Sequence, residues 1–429
     1  MLSILIQLRV PMVLILSLLS AILFGSQFGC ALTSSEDPAE SLRSLPYIQH
    51  VETEKAPNKV GTTIYNKNKA YSGYSMYSSE SGPDGFVHLI DMDGKLVHSW
   101  VRNEQSGLSM LWKDATPFPD GTLFLITKLP DFGDWKRIDA SSHVLAIYNM
   151  PGQMAHHAAY CLKDGGFLGL VANTIHIPFR DLMLEAQDNS LVHISAEGRP
   201  LKIIPLSKLF IDDRGYKNQL RECYKSLKKH LLKVPVNNDG KPPMFDPFHA
   251  NNIESLEWDI PGIAKKGDWL VTIRNLGRIF IVDPVQEKII WQWGENIISM
   301  PHHASFLKDD RILLFDNGVS KQSSRVIIID IISQEIIWQY GQKPGQEFFT
   351  DARGSAQKLP NGNILIAESN SGHVFEVTSS GEVVWEWYAE FYTQGENKGK
   401  RRIIYRMQRI PYDFFKNVKF NYGEIKPEV

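Results

Sequence analysis

Short apolar strands return along this chain at a nearly fixed interval, and each set of strands closes on a large apolar residue. The closing positions are Trp100, Tyr148, Ile204, Trp291, Trp338 and Trp385, separated by 48, 56, 87, 47 and 47 residues. Segments such as Ile279 to Asp283 followed by Ile289 to Trp291, or Val326 to Asp330 followed by Ile336 to Trp338, carry the pattern most clearly. A set of about four short strands cannot bury both faces of its sheet alone, so it must stack against copies of itself around an axis. Six closing strands therefore predict an all-β, six-bladed β-propeller over residues 70–415, rather than the two or three average domains that 429 residues would allow.

The 87-residue step holds one period plus an insertion, about residues 205–247. Within it, Tyr216, Leu220, Cys223, Leu227 and Leu231 recur at helical spacing, while Lys217, Lys225, Lys228 and Lys229 fall elsewhere. This predicts an amphipathic helix packed on one propeller face with a solvated basic side.

The N-terminus bears on compartment. From Val10 to Leu32 the run VPMVLILSLLSAILFGSQFGCAL carries no charge, with Arg9 before it and Glu36 and Asp37 after it. That length spans a bilayer, and the flanking charge keeps the N-terminus inside. Residues 1–32 are read as a transmembrane anchor or, with Gly29-Cys30-Ala31 as a cleavage site, as a signal peptide. Residues 33–69 read as a linker and 416–429 as a tail, and the propeller is expected to lie outside the cytoplasm. Membrane contact is expected through the N-terminal segment alone. With 46 Lys+Arg against 48 Asp+Glu, a net charge of −2 excludes a broad basic field, and with it nucleic acid as a partner. Three cysteines are too few for a disulfide scaffold and leave open a single Cys161–Cys223 bridge.

A second repeat carries the chemistry. In five of the blades the first strand opens on a polar residue followed by alanine: Asp114, His157, His249, His303 and Ser355. First strands line the channel, so equivalent positions converge on one mouth. Three of the five are histidine, and two have a second histidine beside them, His156 and His302. Three imidazoles can bind zinc with an open fourth position, or supply a nucleophile and proton donors. Arg274, in the strand after His249, adds a bidentate cation suited to a sulfuryl or phosphoryl group, and Asn251 adds an amide. This company favours oxyanion transfer with no metal and no cofactor; no phosphate-cradling glycine loop is present.

Phe248-His-Ala-Asn-Asn-Ile253, Thr272-Ile-Arg-Asn275, His303-Ala-Ser-Phe-Leu307 and Leu314-Phe-Asp-Asn-Gly318 resemble segments of the bacterial arylsulfate sulfotransferases. So do Gly73-Tyr-Ser-Met-Tyr77 and Leu89 to Trp100, and the similarity runs from about 70 to about 415. The resemblance implies transfer of a sulfuryl group from a phenolic sulfate ester to a phenol, without a nucleotide donor, through a sulfohistidine. It assigns His303 as nucleophile, and His249, Arg274 and His157 as catalytic partners, with Asn251, His302 and His156 at the substrate. The chain departs from that family in having no cysteine after Cys223 and too few residues before the first blade for an N-terminal sandwich domain. Lys398 to Arg402 reads as a solvated loop, and Tyr405 to Tyr412 either closes the ring or brings Arg406 to the channel. Two other functions remain open: a non-catalytic binding or scaffold propeller, and a metal-dependent hydrolase using the three histidines.

Overall fold

The computed structural model describes residues 58–420 except 80–85, 102–110, 130–131, 231–244, 393–397 and 419. The chain divides into two units, residues 1–49 and 50–429. The expected anchor or signal segment, the linker up to residue 57, Cys30 and Leu231 lie outside the described residues. Among the described residues no helix is long and apolar enough to cross a membrane.

Six antiparallel sheets form the propeller. After β1 (Gly61–Tyr65), β2 (Tyr74–Ser79), β3 (Phe86–Ile90) and β4 (Leu96–Val101) belong to blade one. Blade two is β5 (Leu111–Pro117), β6 (Leu123–Leu129), β7 (Phe132–Ile138) and β8 (Val144–Tyr148). Blade three is β9 (Met154–Cys161), β10 (Phe167–Phe179), β11 (Leu182–Ile194) and β12 (Pro200–Pro205). Blade four is β13 (Ala250–Ser255), β14 (Trp269–Ile273), β15 (Arg278–Asp283) and β16 (Lys288–Trp293), and blade five is β17 (His303–Leu307), β18 (Arg311–Asp316), β19 (Arg325–Asp330) and β20 (Ile336–Tyr340). Blade six is β21 (Ser355–Lys358), β22 (Ile364–Glu368), β23 (His373–Val377) and β24 (Val383–Tyr388), with β1 added outside β24. The last strand, β25 (Ile404–Ile410), pairs with β2 as the innermost strand of blade one. The ring is thus closed twice, by the first strand on blade six and by the last on blade one.

Six buried apolar clusters each join side chains of neighbouring blades, one at every boundary around the ring. Both faces of each inner sheet are therefore covered, which is why β14, Trp-Leu-Val-Thr-Ile, is buried at every position. The periodic tryptophans have a second task. The indole N–H of Trp291 donates to the carbonyl of Ile331, that of Trp338 to Ser379 and that of Trp385 to Met92, at 3.1, 2.9 and 2.9 Å. Each reaches the last turn of the next blade, so the closing residue latches blade to blade.

The inserted helix is α1 (Arg214–His230). Tyr216 and Leu220 are buried in the cluster between blades three and four, with Cys223 and Leu227 partly buried against it, and Tyr224 is buried as well. Its exposed lysines are paired locally: Lys217 with Asp212, Lys225 with Glu222 and Lys228 with Asp181. Strands β10 and β11 run on past their blade to residues 179 and 182, and the Tyr224 hydroxyl donates to Asp181 at that hairpin tip. Cys161 and Cys223 are free thiols, so the open disulfide is not formed. Burial pushes the Cys223 thiol up to about 11.

Candidate active site

The site is assembled where innermost strands begin and second strands end. His249 stands one residue before β13, His302 one residue before β17, and Arg274 one residue after β14. His157 lies in β9 of the preceding blade. His157 and His249 both have positive φ, 52° and 50°, a conformation few non-glycine residues hold without being fixed by their surroundings.

The pairing register decides which histidines are equivalent. In blade four Ala250 faces Ile273, and in blade five His303 faces Phe315. Ile273 and Phe315 each precede an asparagine by two residues, Asn275 and Asn317. The structural counterpart of His249 is therefore His302. The offset from the His-Ala repeat comes from a bulge: Ala250 and Asn252 face the adjacent residues Ile273 and Thr272, leaving Asn251 as the extra residue in β13. Alignment by His-Ala had put His303 at this position; the unbulged β17 puts His302 there instead.

The electrostatics agree. His302 is 7% exposed, and its pKa is driven well below 6.5 by burial and then by Arg274, with His249 adding to the shift. His303 faces elsewhere: its Nδ1 accepts the Ala356 amide at 3.4 Å, and burial followed by Arg406 holds its pKa down. Adjacent strand residues point to opposite sides, so the pair divides between two levels of the channel.

Hydrogen-bond partners also fix the tautomers. The Asn317 side-chain nitrogen donates to the carbonyls of Thr350 and Arg353, so its oxygen is the acceptor. His302 Nδ1 lies 2.8 Å from that oxygen and 3.1 Å from the Met300 carbonyl, and therefore carries the proton. His302 Nε2 is left as a bare lone pair. In His303 the backbone amide occupies the Nδ1 lone pair, so its proton is on Nε2. Of the two, only His302 presents a nucleophilic nitrogen at Nε2.

Across the boundary between blades three and four, His157 Nε2 lies 3.0 Å from His249 Nε2. His249 is braced by Asp246, whose carboxylate accepts from the Nδ1 and, at 3.0 Å, from the backbone amide. His157 Nδ1 contacts the Tyr405 hydroxyl at 3.0 Å. His156 is 1% exposed and its Nδ1 meets the Ala250 carbonyl at 3.2 Å. His156, His157 and His249 offer ligand nitrogens within 4.8 Å of one another. Tyr405 and Asp246 are contributors that motif reading missed. Tyr405 precedes the already conspicuous Arg406, and Asp246 stands three residues before His249.

Arg274 is 6% exposed, its guanidinium donating to the Asn275 side-chain oxygen at 2.8 Å. Burial lowers its pKa, against the opposing pull of Asp246 and Asp351. The turn after it is clamped from the insertion: Gln219 donates to the Asn275 carbonyl at 2.6 Å, and Arg278 pairs with Asp213. Helix α1 thus braces the loop that carries Arg274. Asn251 does not join the cluster as an open amide: its nitrogen donates to the Pro301 carbonyl at 3.0 Å, tying blade four to the residue before His302.

A second polar level accompanies His303. Arg406, on the closing strand, donates to Asp114 at 2.9 Å and Asn252 at 3.3 Å. Closing the ring and placing Arg406 in the channel are the same event. Burial pushes the Glu254 carboxyl up to about 8 on this level.

The described residues thus form a six-bladed propeller that sets His302 under the charge of the buried Arg274 and brings His157 against His249. Residues 225–391 match the family described as Arylsulfotransferase (ASST). Over that stretch, which holds α1 from residue 225 onward and blades four to six, the chain is arylsulfotransferase-like. No curated protein matches the sequence. Among solved structures it is similar to a protein of unknown function from Bacteroides caccae, at 13% identity and TM-score 0.48, covering 79% of this chain and 98% of that one. A protein from Lactobacillus plantarum matches at 11% and 0.43 over 75% and 83% of the two chains. A catalytically inactive virginiamycin B lyase from Staphylococcus aureus with quinupristin matches at 12% and 0.38, over 77% and 88%.

Proposed function

We propose that this chain moves a sulfuryl group from a phenolic sulfate ester to a phenolic acceptor, with His302 in place of His303 as the covalent carrier. The observation that carries the assignment is the tautomer of His302: Asn317 and Met300 take the Nδ1 proton, and the Nε2 lone pair stands under the influence of Arg274. The match of residues 225–391 to the arylsulfotransferases supports the reaction class.

In the first half-reaction His302 Nε2 attacks sulfur, the N–S bond forms, and the ester S–O bond breaks with its electron pair leaving on the phenolate. Arg274 stabilises charge on the sulfuryl oxygens, and His157 or His249 gives a proton to the departing oxygen. In the second half an acceptor phenol passes its proton to His157 or His249 as its oxygen attacks sulfur, the S–N bond breaks with its electron pair returning to Nε2, and neutral His302 is regenerated. Burial favours this cycle because it keeps the resting imidazole uncharged. Asn251, through Pro301, is a positioning residue for the His302 turn. The propeller works outside the cytoplasm, delivered or tethered by the uncharged segment Val10 to Leu32.

The test is release of a chromogenic phenol from its sulfate ester with and without a second phenol. Acceptor-dependent release with the sulfated acceptor as product supports transfer. Release into water that ignores the acceptor rejects it in favour of hydrolysis, and no release over a panel of aryl sulfates rejects catalysis.

A further inference from the structure

Asn275 stands in blade four where Asn317 stands in blade five, two residues beyond Ile273 and Phe315, the register partners at the start of each innermost strand. The two side chains divide their work alike. Asn317 gives its nitrogen to the backbone carbonyls of Thr350 and Arg353 and turns its oxygen to His302. Asn275 gives its nitrogen to the Asp246 carbonyl at 2.7 Å and turns its oxygen to the Arg274 guanidinium at 2.8 Å. The bond to a carbonyl settles which end of each amide is the acceptor. A side chain pinned in that way presents its oxygen in one direction, so the group it meets is oriented by it.

The main chain of Asn275 is held as firmly. Its amide donates to the Phe248 carbonyl at 3.0 Å, and its carbonyl accepts from Gln219 of α1 at 2.6 Å. The Arg274 amide donates to the His249 carbonyl at 3.2 Å. Asp246 gives its carboxylate to His249, at Nδ1 and at the backbone amide, and its carbonyl to the asparagine that holds the guanidinium.

We propose that Asn275 is a positioning residue for oxyanion binding: it sets the Arg274 fork in register with the His249 loop, and Gln219 of helix α1 holds it there. Arginine carries a long, freely rotating stem, and fixing its planar fork before the anion arrives removes that ordering cost from binding. The insertion between blades three and four thus has a task beyond filling the apolar cluster at their boundary, because its helix completes the brace on the cation. The inference deepens the sulfuryl-transfer reading, in which Arg274 meets the sulfuryl oxygens, and rests on it only for the reaction. Retention of a sulfate oxyanion does not require transfer.

The test is calorimetric titration of the full chain with inorganic sulfate, in wild type, Asn275→Ala, Arg274→Ala and the double variant, with transfer from a chromogenic aryl sulfate assayed in parallel. The expected result is sulfate binding about 3–10-fold weaker in Asn275→Ala, and no further loss when Asn275→Ala is added to Arg274→Ala. A merely structural role does not produce that non-additivity. Gln219→Ala is expected to weaken sulfate binding in the same direction and by less, and it repeats the cycle if Asn275→Ala does not fold. Equal sulfate affinity in Asn275→Ala and wild type, an equal loss in the Arg274→Ala background, or no sulfate binding by the folded wild-type chain overturns the proposal. Coupled sulfate binding in a chain that transfers nothing overturns only the sulfuryl reading, and transfer with additive losses overturns only the positioning role.

Discussion

His157 and His249 meet nitrogen to nitrogen at 3.0 Å although 92 residues separate them, each contributed by a different blade. Arg274 and His249 both act on the charge state of His302, which ties this contact to the neighbouring blade and makes the following outcomes specific.

His302→Ala and His303→Ala separate the two levels of the channel. Loss of His302 is expected to abolish acceptor-dependent phenol release. Loss of His303, whose Nδ1 lone pair is occupied by the Ala356 amide, leaves the half-reaction intact at reduced rate. Steady-state rates with a chromogenic sulfate check this, and the reverse ranking restores His303 as carrier.

Arg274 is expected to act on charge that develops during transfer. Arg274→Ala lowers kcat by about 10²–10³-fold, in the range seen when one such donor is removed. Arg274→Lys recovers only part of the loss, because an ammonium lacks the planar fork. Equal kcat in the two variants and the wild type contradicts the role.

The acid limb of the rate profile tests the neutral state of His302. Its folded pKa lies well below 6.5, so the nucleophile stays uncharged through pH 6.5 and is lost only in more acidic solution. A kcat/KM profile that halves near pH 6.5 in step with an unshifted imidazole counts against the assignment.

How much of this was legible in the sequence follows from what repeats. Each fourth strand had to close against the next blade, so Trp291, Trp338 and Trp385 kept their spacing and announced the blade count. The channel histidines were visible because strand order sends first strands to the axis. The choice between His302 and His303 was not, because the bulge at Asn251 exists only in the pairing of β13 with β14. Tyr405 was equally hidden: it reaches His157 across 248 residues, through ring closure by β25.

His373 gives a stability signal away from the site. It lies between Glu368, at 2.8 Å, and Glu386, at 3.2 Å, and those hydrogen bonds raise its pKa above 6.5 against the effect of burial. The folded state therefore holds the proton more tightly than the unfolded chain. Its stabilisation is full below pH 6.5 and is lost as pH rises through the elevated value. His373→Gln is expected to flatten the fall in Tm across that window, and an unchanged slope rules the contribution out.

The blade latch is testable at Trp385, which is fully buried and donates to Met92. Trp385→Phe removes the donor, leaves the Thr62 hydroxyl as the remaining donor to the Met92 carbonyl among the described residues and opens space, at a cost of about 0.5–1.5 kcal/mol for the lost hydrogen bond. Denaturant unfolding measures it, and a loss below about 0.5 kcal/mol leaves the latch without energetic weight.

Sulfuryl transfer through His302 is tested most directly by trapping its intermediate. The chain is mixed with an aryl sulfate in the absence of acceptor, quenched in alkali, digested and sequenced by mass spectrometry. A sulfuryl adduct on His302, absent in His302→Ala, retained in His303→Ala and discharged by added phenol, is the expected result. An adduct on His303, or phenol turnover with no adduct on either histidine, contradicts it.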